Sequence, residues 1–222
     1  MASGILKEIF NDNKIFTGNG TKRYNRLKDK QSPDTTLIVC SDSRVPTCVV
    51  SKDTVNKVFC IENIGNQIIT SEGSVDYGVL HLKTKLLLVL GHTNCGAVNA
   101  CFSDFSKESS GIQKELETMS DGLAEIDSSF DKDDPERLNK YAEANVDFQV
   151  SYAVDKYNDK VKSGELTVVG MMMDFTDSYS DKRCGVFITN INGETDSEKI
   201  KDMDVLKDID EQVKKTRIKR IS

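Results

Sequence analysis

Three residues combine types and spacing that could do chemistry: Cys40, His92 and Cys95. The first opens Cys40-Ser41-Asp42-Ser43-Arg44-Val45-Pro46, and the other two lie in Gly91-His92-Thr93-Asn94-Cys95-Gly96. Two thiolates and one imidazole make a Cys₂His zinc set, with a fourth position left for water, which is the pattern of a catalytic zinc. The plainer alternative is two buried structural cysteines and a surface histidine, because free cysteine is commonly buried. The joint spacing of the two motifs favours zinc. Asp42 and Arg44 stand beside the first ligand. An exposed loop ion pair contributes little, but next to a metal the carboxylate can accept a hydrogen bond from bound water or swing in as a fourth ligand. Arg44 would then hold it aside.

Each motif needs an element that delivers it. Thr35-Thr36-Leu37-Ile38-Val39 precedes the first and Leu86-Leu87-Leu88-Val89-Leu90 the second. Short apolar runs ending in turn residues read as buried strands of a parallel sheet, and open α/β sheets gather reactive groups at the carboxyl ends of their strands. Lys57–Ile61 reads as another strand, followed by a loop at Asn63-Ile64-Gly65-Asn66 in which Gly65 is free to take positive φ. A helix is expected from Ser71 to about Lys83, a short helical turn over Thr47–Ser51, and a helix near Cys95–Cys101. Leu166–Met173 reads as a fourth strand and Gly185–Thr189 as a fifth, an edge paired to the fourth. Residues 2–12 and 20–29 read as an amphipathic N-terminal helical region with Ile5, Leu6, Ile9 and Phe10 on one side. Gln31-Ser32-Pro33 breaks it. Ser103–Pro135 is polar and reads as solvated helix and loop, peripheral to the chemistry. Glu136–Lys162 returns to helix with Val146, Val150, Ala153, Val154 and Tyr157 as its apolar side, and Ser197–Lys215 reads as a charged helix. The expected architecture is one α/β domain over residues 1–222. It has a mainly parallel central sheet of about four strands plus an edge strand, flanking helices and an N-terminal helical arm.

These residues carry a family resemblance. Cys-x-Asp-Ser-Arg followed by His-x-x-Cys-Gly is similar to the β-class carbonic anhydrases, and the likeness continues through Glu62–Asn66 and Gly73–Lys83, dense over about 31–101. The resemblance implies one Zn²⁺ per subunit on Cys40, His92 and Cys95, and reversible hydration of CO₂ to bicarbonate and a proton by zinc-held hydroxide. It gives Asp42 and Arg44 the paired role above and makes the Gln31 amide a donor to a substrate oxygen. Phe59, Ile64 and Tyr77 become an apolar wall suited to CO₂, with Gly96 letting its backbone face the ligand. Read from residue type alone, Phe59 and Ile64 are ordinary strand packing. His81, one helical turn beyond Tyr77, is a candidate proton shuttle, although a lone helix histidine is more often inert. The resemblance also implies an arm that packs on a partner subunit, hence a homo-oligomer built from dimers. Two rivals stand beside this reading. One is a hydrolase of carbonyl sulfide or carbon disulfide; the other is a non-catalytic zinc or bicarbonate-binding protein, against which Asp42, Arg44 and Gln31 argue.

The sequence departs from the family at two places. Glu62 stands where many members have Arg, and Leu37 where a subset has Trp. In that subset Trp and Arg belong to a second, inhibitory bicarbonate site.

Composition narrows the setting. A net charge of −6 over 222 residues argues against nucleic acid as a main partner. No apolar run approaches membrane-spanning length, and the first residues lack the long apolar stretch of a signal peptide. Of six cysteines, two sit in metal spacing. Cys48, Cys60, Cys101 and Cys184 read as buried apolar positions or incidental thiols. That usage fits a reducing cytoplasm. Met171–Met173 fits a buried strand.

Overall fold

The structure is a computed structural model that describes residues 2–127, 131, 133–180 and 183–221. The chain forms two compact units, residues 1–32 and 33–222. In the first, α1 runs without interruption over Ala2–Leu27. The sequence reading leaves residues 13–19 between two helical stretches, but the helix continues across them and through Gly18 and Gly20. Each glycine costs helix stability without forbidding the conformation. Phe16 and Tyr24 meet across this stretch, with ring centroids 5.8 Å apart. Ile5, Leu6, Ile9 and Phe10 are all exposed.

The second unit is built on a five-stranded sheet: β1 (Thr35–Cys40), β2 (Val58–Asn63), β3 (Leu86–His92), β4 (Thr167–Met173) and β5 (Val186–Ile191). The spatial order is β2-β1-β3-β4-β5. The first four strands are mutually parallel and β5 is antiparallel to β4, with a bulge between Gly170 and Met171. The α/β architecture expected from the apolar runs is the one observed.

Both sheet faces are covered, which explains why β3 and most of β1 and β4 run apolar without alternation, while the edge strand β2 keeps Glu62 exposed. Ile38, Ile61, Leu87, Val89, Val168 and Met172 face one cluster, while Leu37, Val39, Leu88, Leu90, Val169 and Ile191 face the other. The first face packs on α4 (Ser110–Asp127) and α5 (Arg137–Lys156) through Met119, Leu123, Val146 and Val150. The expectation that the polar stretch 103–135 is solvated is therefore corrected, because Leu116, Met119 and Leu123 of α4 are fully buried core. Residues 128–130 and 132 of that stretch lie outside the described residues.

The expected helix Glu136–Lys162 divides at Tyr157 into α5 and the short α6 (Asn158–Lys162). Between β2 and β3, α2 (Glu72–Asp76) passes directly into a wider π-type turn over Tyr77–His81, where Leu82 N–H donates to Tyr77 O at 2.9 Å. After β3 comes α3 (Gly96–Cys101). The expected single C-terminal helix is instead α7 (Ser197–Lys201), a 3₁₀ turn at Asp204–Leu206 and α8 (Glu211–Arg217). Asp196 and Asp210 cap the two α-helices, each accepting from two backbone N–H groups. An aspartate competing as a cap inside a charged run favours new helix starts over one long helix.

Candidate metal centre

β1 and β3 are neighbours, and the chain leaves β1 toward β2 on one side while β3 lies on the other. Their carboxyl ends therefore flank the point where strand order reverses, the place where open α/β sheets form a crevice. Cys40 is the last residue of β1 and His92 the last of β3. By strand alternation Cys40 continues the Ile38 face and His92 the Leu88–Leu90 face. The two side chains can thus converge only past the sheet's end. Cys95 arrives as the N-cap of α3, after Asn94 turns the chain with φ 53°. Asparagine tolerates that conformation. The turn is held by Asn139 of α5, whose Oδ1 accepts from Asn94 N–H at 2.7 Å.

All three side chains are buried, and one donor atom from each lies within 4.8 Å of the others. His92 Nδ1 is 2.9 Å from Thr93 O. A carbonyl can only accept, so Nδ1 carries the hydrogen and Nε2 presents its lone pair. Nε2 is buried with no hydrogen-bond partner. Between the cysteines one proton is shared. Cys40 falls to about 4 because the Cys95 thiol donates to it, helped by Gly65 N–H at 3.4 Å. Cys95 rises, because its thiol hydrogen is held in the bond to Cys40, and because burial and repulsion disfavour a second thiolate. A second thiolate at this spot requires a cation. The orphaned imidazole nitrogen and the thiol pair match the donors of a Cys₂His metal site; a metal ion suits these residues.

Asp42 sits over the cluster, with Oδ2 3.8 Å from His92 Nε2. Arg44 grips it twice, Nε to Oδ1 at 2.9 Å and Nη2 to Oδ2 at 2.7 Å, and the Arg44 backbone N–H donates to Oδ1 at 3.0 Å. These donors hold the Asp42 carboxyl far below the usual range. Arg44 Nη2 also donates to Asn94 O at 3.2 Å, tying the β1 motif to the β3 motif.

The loop after β2 closes one side. Gly65 has φ 76°, and a Cβ there would strike the Met119 side chain of α4. Its carbonyl accepts from Asn145 Nδ2 at 2.9 Å, and Ile68 N–H donates to Gln149 Oε1 at 2.8 Å. Gly91 admits α5 closely against β3, since a Cβ would meet Val146 Cγ2 at 2.5 Å and Met172 Sδ at 2.9 Å.

Ile64 and Gly96 line one cavity of about 480 Å³, together with Ala97, Asn99, Ile112 and Leu116. The structure does not bring Phe59 and Tyr77 to this place. Phe59 is in register with Thr36, four residues before Cys40 and so about 13 Å down the strand. Its ring meets Tyr77 at 5.7 Å, and Tyr77 stacks on His81 at 4.5 Å, forming a separate cluster. Tyr77 is 43% exposed. Gln31 is exposed and belongs to the other unit, past the end of α1. Leu37 is fully buried in the core, and Glu62 is exposed on β2 with Cys60 Sγ 3.6 Å from its Oε1. Cys48, Cys60 and Cys184 are exposed rather than buried, and all six cysteines are free thiols.

Sequence reasoning passed over Asn139, Thr93, Asp174 and Phe175. The only signal for them was polar residues inside apolar elements, namely Asn139 in α5 and Asp174 directly after β4. A second cavity of about 410 Å³, bounded by Val186, Ile188, Val213 and Arg217, touches none of the site residues.

Residues 35–179 match the family model described as carbonic anhydrase. A carbonic anhydrase of Emericella nidulans is 32% identical over 149 residues, 63% of this chain and 64% of its own length. The chain thus spans just under two thirds of that relative. A β-carbonic anhydrase from Coccomyxa, solved with acetazolamide, superposes with a TM-score of 0.67 at 22% identity, covering 78% of this chain and 82% of that one. One of two structures titled tetrameric β-carbonic anhydrases, from Sordaria macrospora, gives 0.65 at 24% identity, covering 77% and 92%.

Proposed function

Because this chain belongs to the carbonic anhydrase family and carries the β-class fold, we propose that it interconverts CO₂ and bicarbonate with one zinc held by Cys40, His92 and Cys95. The supporting observation is the buried trio itself, with His92 Nε2 lacking any partner. Zinc there would supply Lewis acidity, making a bound water ionise near neutral pH.

The chain's own residues do the rest. Asp42 has both carboxylate oxygens engaged by Arg44, so it stays ionised and turned toward the guanidinium. In that state it can accept a proton-bearing group over the cluster without closing it. Ile64 and Gly96 give the neighbouring cavity an apolar wall suited to an uncharged linear molecule. Phe59 and Tyr77 stand about 13 Å down the strand in a partly exposed cluster. We assign them to the wall of a neighbouring copy's site in a homo-oligomer built from dimers. His81, stacked on Tyr77, carries protons to solvent in this reading, and the Gln31 amide donates to a substrate oxygen. Six free thiols suit a reducing compartment such as the cytoplasm. Among the described residues no helix is long and apolar enough to cross a membrane.

Stopped-flow CO₂ hydration on zinc-loaded protein, alongside metal analysis and a carbonyl sulfide assay, tests this. We expect one zinc per chain and fast CO₂ hydration. Hydrolysis of carbonyl sulfide without CO₂ hydration would assign the sister reaction, and zinc with neither activity would make the site structural.

A further inference from the structure

Arg44 is held on a side that the Asp42 pairing does not explain. Its guanidinium carbon lies 4.6 Å from the centroid of the Phe175 ring, and the same ring lies 5.2 Å from His92. Phe175 therefore touches both the arginine that restrains Asp42 and a ligand of the cluster. The Arg44 side chain is 47% exposed, and an ion pair that open to water fixes geometry weakly. An aromatic face beneath the guanidinium adds a second, directional restraint.

The ring's placement is itself enforced. Phe175 N–H donates to Thr93 Oγ1 at 2.7 Å, and Thr93 N–H donates to Met173 O at 3.0 Å. Asp174, fully buried, accepts from Thr176 and Ser178 N–H through Oδ1 at 3.0 and 3.2 Å, and from Tyr179 and Ser180 N–H through Oδ2 at 2.9 and 3.3 Å. The loop after β4 is thus folded around its own carboxylate and anchored to the residue after His92.

We propose that Phe175 is a positioning residue: its ring face fixes the Arg44 guanidinium so that Asp42 stays paired and off the metal position. This rests on the carbonic anhydrase reading for its consequence in rate, but not for its geometry. A leucine would fill the same space without a π face, which separates the proposal from simple packing.

The test compares Phe175→Leu, Phe175→Tyr and Arg44→Ala in zinc and cobalt(II) forms. Phe175→Leu should keep full metal and a near-normal KM while kcat falls by about two- to thirtyfold, the range of one cation–π contact. Its cobalt d–d spectrum should move toward that of Arg44→Ala, and Phe175→Tyr should restore both readouts. In an Arg44→Ala background, Phe175→Leu should add nothing further. An unchanged cobalt spectrum in Phe175→Leu, equal damage from Tyr and Leu, or a full Leu effect without Arg44 would each overturn the proposal. Should Phe175→Leu fail to fold, Phe175→Met carries the same expectations. The spectrum reads Asp42 without turnover. An absence of CO₂ hydration in the parent protein would therefore overturn the proposed activity and leave this test standing.

Discussion

Two groups of buried ionisable side chains lie in the same unit and are completed in opposite ways. Around Glu143 every group has a partner. Tyr179 OH donates to its Oε2, Arg220 Nη2 pairs with its Oε1 at 2.8 Å, and Ile221 N–H donates to Oε2 at 3.2 Å. Arg220 also pairs with Asp147 at 2.6 Å, and Asn190 donates to Asp147 Oδ1 at 2.8 Å. Around Cys40, by contrast, His92 Nε2 has no partner and two thiols contend for one proton. Shifted pKa values occur in both groups, since burial also raises Glu143 and Tyr179. A perturbed pKa therefore does not tell a reactive site from a structural one here. The distinguishing feature is an unpartnered imidazole nitrogen grouped with two buried thiols, a donor set that suits a metal ion, whereas a satisfied network fastens the C-terminal segment to α5.

The strongest way to break this contrast is to exchange the consequences. Cys95→Ala should lose zinc and cut CO₂ hydration by about a thousandfold or more, as removing a metal-activated water would. Arg220→Ala should keep one zinc and a rate within a few-fold of the parent. It should still lose about 2–4 kcal/mol of stability in denaturant titration, toward the lower end for a broken buried pair because Arg220 is 30% exposed. Zinc retained in Cys95→Ala, or lost in Arg220→Ala, would merge the two groups. Next in size, Arg44→Ala should keep its zinc and lose about a hundredfold in rate, with Asp42 on the metal in a crystal structure. A near-normal rate would reduce the pair to a loop contact.

A smaller effect sharpens the other side. Burial raises the folded-state pKa of Glu143 above its unfolded value, so folding favours its protonated form. Its contribution to stability is therefore greatest at pH values below the ordinary carboxylate range and declines as pH rises through the raised value. Asp42, held down by Arg44, has the opposite sign: its contribution is present above the unfolded carboxylate range and lost as pH falls. Glu143→Gln should flatten the decline on the alkaline side of the carboxylate range in pH-dependent unfolding, and a slope identical to the parent's would count against this sign. The smallest expected effect concerns bicarbonate. With Leu37 buried and a carboxylate at Glu62, inhibition should be weak and non-sigmoidal, since an anion is repelled where a guanidinium would pair with it. Cooperative inhibition in a bicarbonate titration would contradict this.

Much of this was legible in the chain because the site sits where local signals are strongest. Cys40 and His92 each end an apolar run, so finding the strands located the ligands. The central strands β1, β3 and β4 followed from β-branched and leucine-rich segments whose two buried faces leave no alternation to misread. What escaped had a physical reason in each case. Leu116, Met119 and Leu123 are spaced for a helix face but diluted by charged neighbours, so α4 passed for a solvated segment. Phe175 belongs to the site through a loop folded on Asp174, and a carboxylate gathering four backbone N–H groups has no signature before the backbone is known. The arm's continuity across residues 13–19 likewise ran against local propensity at Gly18.

The pairing of β1 with β3 bears on the order in which this molecule can assemble. Cys40 and His92 are roughly fifty positions apart in sequence, so in an unfolded chain bringing them together carries a substantial loop-closure entropy. In the folded chain that entropy has already been given up by a ladder of backbone hydrogen bonds running from Thr35↔Leu86 to Val39↔Leu90. The strand ladder thus does the closing that, in small zinc modules, the ion itself performs.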